Sequence, residues 1–175
     1  MTPPSPLLVA VRTSLILVIA LTIQLGFAPG LQVFGVQGDL LLLVAIGGGI
    51  SAGPDRGAAI GFAAGLAYDL FLQTPFGLSA LTYAIVAYLV GGLQDSVLRA
   101  AWWIPVLTAT AASMLGVILY GVFGTVLGGD LIGLELVRVA LIVGLLNTIA
   151  APLVVKAMGW ATGSTKHARA RAVYR

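Results

Sequence analysis

A glycine ladder that leads to a carboxylate lies on one face of an apolar segment: Gly57, Gly61, Gly65 and Asp69. Residues four apart stack on the same side of a helix, and residues without side chains let a second helix approach closely. A carboxylate at membrane depth is costly unless it is buried against protein, paired or in contact with water. The spacing therefore predicts a helix-packing or partner-binding face and not a catalytic centre. It leaves open whether the face packs within the chain or receives a partner.

Asp69 has two possible partners in the sequence. It could cap the following loop through Thr74, or it could pair with Arg138, which is also expected near the outer side. A buried ion pair offsets the loss of hydration only where its geometry is good. The predicted topology places Asp69 in the outer half of its helix, which favours a fixed structural pair over a proton relay.

A tight turn, Thr74-Pro75-Phe76-Gly77, follows the ladder. Proline fixes one backbone dihedral and glycine permits a positive one, so this connection should be rigid. Such a turn could present Phe76 to a partner outside the membrane. Turn geometry alone explains the same residues equally well.

The last apolar segment carries an amide near a proline, Asn147 and Pro152. Pro152 removes one helical hydrogen bond and should bend the helix near Thr148. Asn147 could donate to the freed carbonyl groups or bridge to another helix. Asp39 and Asp130 lie at predicted helix starts, where capping explains them.

Several classes of chemistry are excluded by composition. The chain contains no cysteine and one histidine, His167, so disulfides, thiolate sites and multi-histidine metal sites are ruled out. No motif of a serine hydrolase, zinc protease or phosphate-binding loop is present. A proton relay would need more titratable groups along its path than Glu135 and Arg138 supply. We therefore predict a protein that is not an enzyme and holds no metal or cofactor.

The elements that position these residues are predicted to be membrane helices. Hydrophobic residues make up 59% of the chain and charged residues 9%, and the mean hydropathy is +1.07. Since one crossing takes about 20 residues, the chain accommodates about six helices. We predict an all-α, polytopic transmembrane domain over residues 1–160 and a basic tail over 161–175. The predicted helices cover residues 7–28 (a retained helix, not a cleaved signal peptide), 39–51, 57–73, 78–93, 102–127 and 131–158.

The second and third predicted helices are short for a membrane. About 13 residues extend only some 20 Å, against a hydrocarbon core of about 30 Å. Either residues 31–38 add irregular backbone at membrane depth, or the bilayer is thinned around these helices. Irregular backbone at that depth must be buried in protein or line a cavity. The glycines of this region favour an irregular second segment.

Basic residues alternate with uncharged loops along the chain. Arg12, Arg56 and Arg99 lie at one set of predicted helix ends. The loops between them contain neither lysine nor arginine: residues 31–38, 74–77 and 128–132. The positive-inside rule then predicts six crossings with both termini in the cytoplasm. Arg138 is the exception, and Glu135 can pair with it at i+3.

The basic tail after the sixth helix is expected to fix the orientation of the chain and to contact anionic lipid headgroups, and docking to a cytoplasmic partner is the alternative. The net charge of +3 does not indicate binding to nucleic acid, because the basic residues flank membrane segments.

Residues 38–81 resemble the signature of the bacterial rod shape-determining protein MreD. That family shows an aspartate before an apolar second helix, then G-x-x-x-G-x-x-x-G-L-x-x-D and a P-x-G turn. The positions that match are Asp39, Gly57, Gly61, Gly65, Leu66, Asp69, Pro75 and Gly77. The later stretch LVRVALIVGLLNTIAAPLV is similar to the family's final helix through Arg138, Asn147 and Pro152.

The resemblance implies a non-enzymatic subunit of the cell-elongation machinery in the bacterial inner membrane. It implies binding to MreC and action beside MreB, the glycosyltransferase RodA and a class B penicillin-binding transpeptidase. The family's helix arrangement is thought to resemble the substrate-binding subunits of energy-coupling-factor vitamin transporters. A vitamin-capture subunit of that kind is the alternative function. Its docking pattern on the first helix is matched here only by Ala10 and Ser14.

Overall fold

The computed structural model describes residues 4–27, 30–93, 103–128 and 133–163. Within these residues the protein is all-α, as predicted, with six helices. We number them α1 (Pro6–Gly26), α2 (Leu40–Ala52), α3 (Pro54–Asp69), α4 (Leu78–Gly92), α5 (Ile104–Val126) and α6 (Leu134–Thr162). Three of them, α1, α5 and α6, are long and apolar enough to cross a membrane.

The shortest helix, α2, forms the centre of the fold. Eleven of its 13 residues are buried, which fits a segment without a charged side chain. The other five helices all contact it, and α3 and α4 also pack tightly on each other. A helix that is apolar on every side is expected in the core of a bundle. Here α2 faces protein on all sides and not lipid.

The direction of each helix follows from side chains that meet across the bundle. Gly38 and Gly47 of the α2 region approach Asn147 and Met158, so α2 and α6 run parallel. Consecutive helices alternate in direction. At one end Gly163 lies beside Pro4, and the guanidinium of Arg12 lies 4.4 Å from the centre of the Trp160 ring. Both described ends of the chain therefore lie at the same end of the bundle, which we call the terminal end.

At the opposite end, the α5–α6 pair extends beyond α2 and α4. Asn147 of α6 contacts the start of α2 at Asp39, whereas α6 begins 13 residues earlier, at Leu134. At 1.5 Å per residue, this extension is about 20 Å. Residues 31–38 lie beside it as an irregular segment with one isolated β-bridge, Val33 to Val36. The sequence analysis favoured such a segment before a short second helix.

Eight of the twelve predicted helix ends lie within two residues of the observed ends, and the other four lie within four residues. The third and sixth helices differ most: α3 covers Pro54–Asp69 in place of residues 57–73, and α6 covers Leu134–Thr162 in place of residues 131–158. Proline is favourable in the first helical turn, so α3 starts directly after Gly53. The predicted cap Asp130, Arg99 and residues 164–175 of the basic tail lie outside the described residues.

A buried polar cluster and the glycine interface

The first turn of α2 is held by its own N-cap residue, Asp39, and by a side chain of α1, Gln24. The Asp39 carboxylate accepts a hydrogen bond from the Leu42 amide (2.9 Å), which confirms the predicted capping role. Gln24 of α1 accepts from the Leu40 amide (2.8 Å) and donates to the Gly38 carbonyl (2.9 Å). The first amides of a helix have no partner inside the helix. Gln24 and Asp39 supply partners for two of them.

The side chain of Asn147 on α6 binds both backbone groups of Asp39. Its Oδ1 accepts from the Asp39 amide (3.0 Å), and its Nδ2 donates to the Asp39 carbonyl (3.0 Å). The same Nδ2 donates to Oγ of Ser113 on α5 (2.9 Å). Asn147 therefore joins α2, α5 and α6, which is the interhelical bridge that the sequence analysis considered. Pro152 lies inside α6, one turn after Thr148.

The second carboxylate oxygen of Asp39 accepts a hydrogen bond from the hydroxyl of Tyr83 on α4. Together, Gln24, Asp39, Tyr83, Ser113 and Asn147 form what we call the polar cluster. The set takes one residue from each of α1, α4, α5 and α6 and one from the start of α2. Buried polar groups of this kind are stable only when they are satisfied by partners. The cluster fixes four helices around the start of α2.

Asp69 performs a comparable role for α4. Its carboxylate accepts from the amides of Gly77 (3.0 Å), Ser79 (3.1 Å) and Ala80 (3.1 Å). The amides of Ser79 and Ala80 belong to the first turn of α4, and Gly77 is its N-cap, so the helix dipole also favours a negative charge there. Gly77 adopts a left-handed backbone, with φ of +94°, and lies directly before the helix. Asp69 is therefore the last residue of α3, and its side chain caps the start of α4.

The predicted pairing of Asp69 with Arg138 is wrong. Arg138 lies on the exposed part of α6, where it forms the i+3 salt bridge to Glu135 (3.2 Å). Its Nη2 also donates to the Phe34 carbonyl (3.3 Å), which ties the irregular segment to α6. Asp69 needs no basic partner, because three amide donors solvate its carboxylate.

The glycine ladder of α3 faces the backbones of α2 and α4. A Cβ on Gly57 would lie 2.6 Å from Cα of Gly49. A Cβ on Gly61 would lie 2.5 Å from the Tyr83 carbonyl oxygen, and one on Gly65 would lie 2.4 Å from the Ala80 amide nitrogen. Real Cβ atoms do not approach other atoms so closely, so these positions hold only glycine at this helix spacing. In the described residues, the ladder packs within the chain.

Three residues of the polar cluster were not predicted from the sequence: Gln24, Tyr83 and Ser113. Gln24 could have been suspected, since it is a side-chain amide near the end of a mostly apolar helix. Tyr83 and Ser113 carry no comparable signal. The turn residues Pro75 and Phe76 are exposed, next to the buried Asp69.

Chemically, this arrangement provides structure. Both buried carboxylates, Asp39 and Asp69, are occupied by hydrogen-bond donors from the chain itself. Among the described residues, no group of three or more histidine or acidic side chains could hold a metal ion. The polar groups join helices to one another, and none is arranged as a nucleophile with a base.

An all-α bundle with long apolar helices, in which clustered polar side chains bond to one another and to helix ends, defines a polytopic membrane protein. The family model for the rod shape-determining protein MreD matches residues 7–158. The chain therefore belongs to the MreD family, as the sequence resemblance predicted. No curated protein and no solved structure matches the chain.

Proposed function

We propose that this chain is a non-enzymatic membrane subunit of the cell-elongation complex, and that it binds MreC. Through MreC it would support sidewall peptidoglycan synthesis together with MreB, RodA and a class B penicillin-binding transpeptidase. Membership of a family of rod shape-determining proteins carries this proposal. The polar cluster and Asp69, whose hydrogen bonds join helices within the chain, support a scaffolding role.

The proposed orientation places the terminal end in the cytoplasm of the bacterial inner membrane. Arg12, Arg56 and Lys156 lie toward that end, and positively charged residues favour the cytoplasmic side. The α5–α6 extension would then lie on the outer side. This orientation would bring the extension to the side on which a periplasmic scaffold is found.

The α5–α6 extension offers a surface for MreC. Leu134 is 92% exposed, and Val137 and Phe34 are also exposed beside it. Large apolar side chains grouped at one projecting end are typical of a protein contact. The glycine ladder is a weaker candidate for this contact, because it is occupied by α2 and α4.

The test is co-purification of MreC from native membranes with identification of the proteins recovered. We expect the unmodified chain to recover MreC, and the double variant Leu134→Ala, Val137→Ala to recover several-fold less. Leu153→Ala is the matched control, because Leu153 is an exposed leucine on the same helix away from the extension. Equal recovery by the double variant would reject the extension as the contact. Failure of the unmodified chain to recover MreC, with a vitamin bound instead, would reject the function itself.

A further inference from the structure

The α5–α6 pair extends further than α3 and α4 at the end of the bundle where Arg138 lies. We call these two pairs the two halves of the bundle, and positions along α6 measure their difference in height. Trp160 and Arg138 are 22 residues apart on α6, which is about 33 Å at 1.5 Å per residue. That length is close to the roughly 30 Å thickness of a hydrocarbon core. Asn147 marks the polar cluster, about 20 Å from Trp160 and about 14 Å from Arg138.

Arg12, Asp55 and Arg56 lie at about the same level at the terminal end. Arg12 stacks on Trp160, and it lies 12 residues, or about 18 Å, from Gln24 of the polar cluster. Asp55 and Arg56 are exposed in the first turn of α3, next to Gly57, which contacts Gly49 near the end of α2. Charged and aromatic side chains at one level mark the boundary of the hydrocarbon core.

The α3–α4 turn, residues 70–77, lies at the level of the polar cluster. Gly49 of α2 is beside Ala87 of α4. Counting back along each helix, Asp39 is 10 residues from Gly49 and Leu78 is 9 residues from Ala87. These spans are about 15 Å and about 14 Å, so the start of α4 is level with Asp39.

A bilayer of uniform thickness would therefore extend past this turn. If its boundary lies at Arg12 and Trp160, a core of about 30 Å reaches about 10 Å beyond the polar cluster. The turn would then be immersed in hydrocarbon. Its backbone cannot stay there without cost, since Gln73 and Thr74 are exposed and make no hydrogen bond within the described chain.

We propose that the leaflet at the Arg138 end is thinned beside α3 and α4, so that lipid headgroups and water descend to the α3–α4 turn. The exposed Leu70, Phe71 and Phe76 would contact the upper acyl chains. The turn carries no charged side chain, and it continues the exposed apolar surface of α3 and α4, where Phe62 and Leu81 lie. An uncharged turn with apolar side chains and free backbone groups fits the interfacial zone of a phospholipid leaflet.

Single-cysteine variants allow a direct test, because the chain has no cysteine of its own. A spin label at Phe76→Cys reports the turn, and one at Leu145→Cys is the matched control. Leu145 lies two residues from Asn147, so it has nearly the same height on the other half of the bundle. The two side chains are also similarly exposed, at 65% and 63%.

The measurement is the accessibility of each label to oxygen and to a water-soluble nickel chelate, with the purified full chain in phosphatidylcholine bilayers. We expect the ratio of nickel to oxygen accessibility to be several-fold higher at position 76 than at position 145. A label at Gln73→Cys should repeat the result for position 76 and guards against misfolding of one variant.

Three outcomes would overturn the proposal. Equal, oxygen-dominated profiles at both positions would mean a uniform bilayer around an immersed turn. Equal, nickel-dominated profiles would mean that the membrane lies lower on the whole bundle. Low accessibility of position 76 to both reagents would mean that a second copy of the chain covers the turn in place of lipid.

Discussion

The side-chain amide of Asn147 makes two hydrogen bonds to the backbone of Asp39, 108 residues earlier in the chain. One bond uses its oxygen and the other its nitrogen, so the pairing resembles that between two neighbouring β-strands. This contact fixes the height of α2 against α6. It also supplies hydrogen-bond partners to the backbone of Asp39, the residue that joins the irregular segment to α2.

Replacement of Asn147 should destabilise the fold. Asn147→Ala removes partners from the amide and the carbonyl of Asp39, and each unsatisfied buried group costs about 1–3 kcal/mol. Asn147→Asp keeps the acceptor for the Asp39 amide but loses the donor and adds a charge close to the Asp39 carboxylate. We expect both variants to unfold more readily in mixed detergent and dodecyl sulfate, measured by circular dichroism. Ile149→Ala, at an exposed position on the same helix, should change the unfolding midpoint little.

The free energy of unfolding should depend on how many hydrogen-bond acceptors the residue at position 69 retains when Asp69 is replaced. The native carboxylate accepts three amide hydrogen bonds with two oxygens. Asp69→Asn keeps one acceptor oxygen and turns an NH₂ group toward an amide donor, whereas Asp69→Ala keeps none. We expect the free energy of unfolding to fall in the order native, Asn, Ala, by about 1–2 kcal/mol per step. Equal stability of all three proteins would show that the start of α4 does not depend on this cap.

The sequence predicted the roles of Asp39 and Asn147 in the polar cluster, but it did not predict which residues they contact. Asp39 as a cap and Asn147 as a bridge follow from local rules, because a cap needs only its own helix and a buried amide needs some partner. That these two residues meet depends on the height of α2 within the bundle, which no local pattern encodes. Tyr83 and Ser113 were missed for the same reason.

The error at Asp69 has a different cause. The two partners considered from the sequence were Thr74, in the following loop, and Arg138, the basic residue expected near the outer side. The observed solution uses the free amides at the start of α4, which any helix provides. The same capping ends α3 at Asp69, four residues before the predicted end. One carboxylate therefore accounts for both the missed partner and the misplaced boundary.

A contact between the first and the last described helix should contribute modestly to stability. The guanidinium of Arg12 lies over the Trp160 ring, and such a contact is worth about 0.5–1 kcal/mol at an exposed site. We expect Trp160→Leu to lower the unfolding midpoint slightly and Trp160→Phe to lower it less, because phenylalanine keeps an aromatic face. If Arg12→Gln has no further effect in the Trp160→Leu background but does in the native chain, the two residues are coupled.

The glycine positions of the ladder on α3 should not tolerate a side chain, whereas the glycine at the end of α4 should tolerate one. A Cβ on Gly61 or Gly65 would lie within about 2.5 Å of the α4 backbone, so Gly61→Ala and Gly65→Ala must push α3 and α4 apart. Since the clash is with main chain, no rotamer change relieves it, and overpacking of this kind typically costs about 1–3 kcal/mol. Gly92→Ala is the control, because nothing lies within 4 Å of its Cβ position. We expect both ladder variants to lose unfolding free energy in detergent, with Gly92→Ala unchanged or slightly more stable.

The loss should appear in the isolated chain without MreC, since the contact is internal. If both variants were as stable as the native chain but failed to recover MreC, the ladder would be a partner surface after all, and the close approach of α3 to α4 would not hold in the membrane.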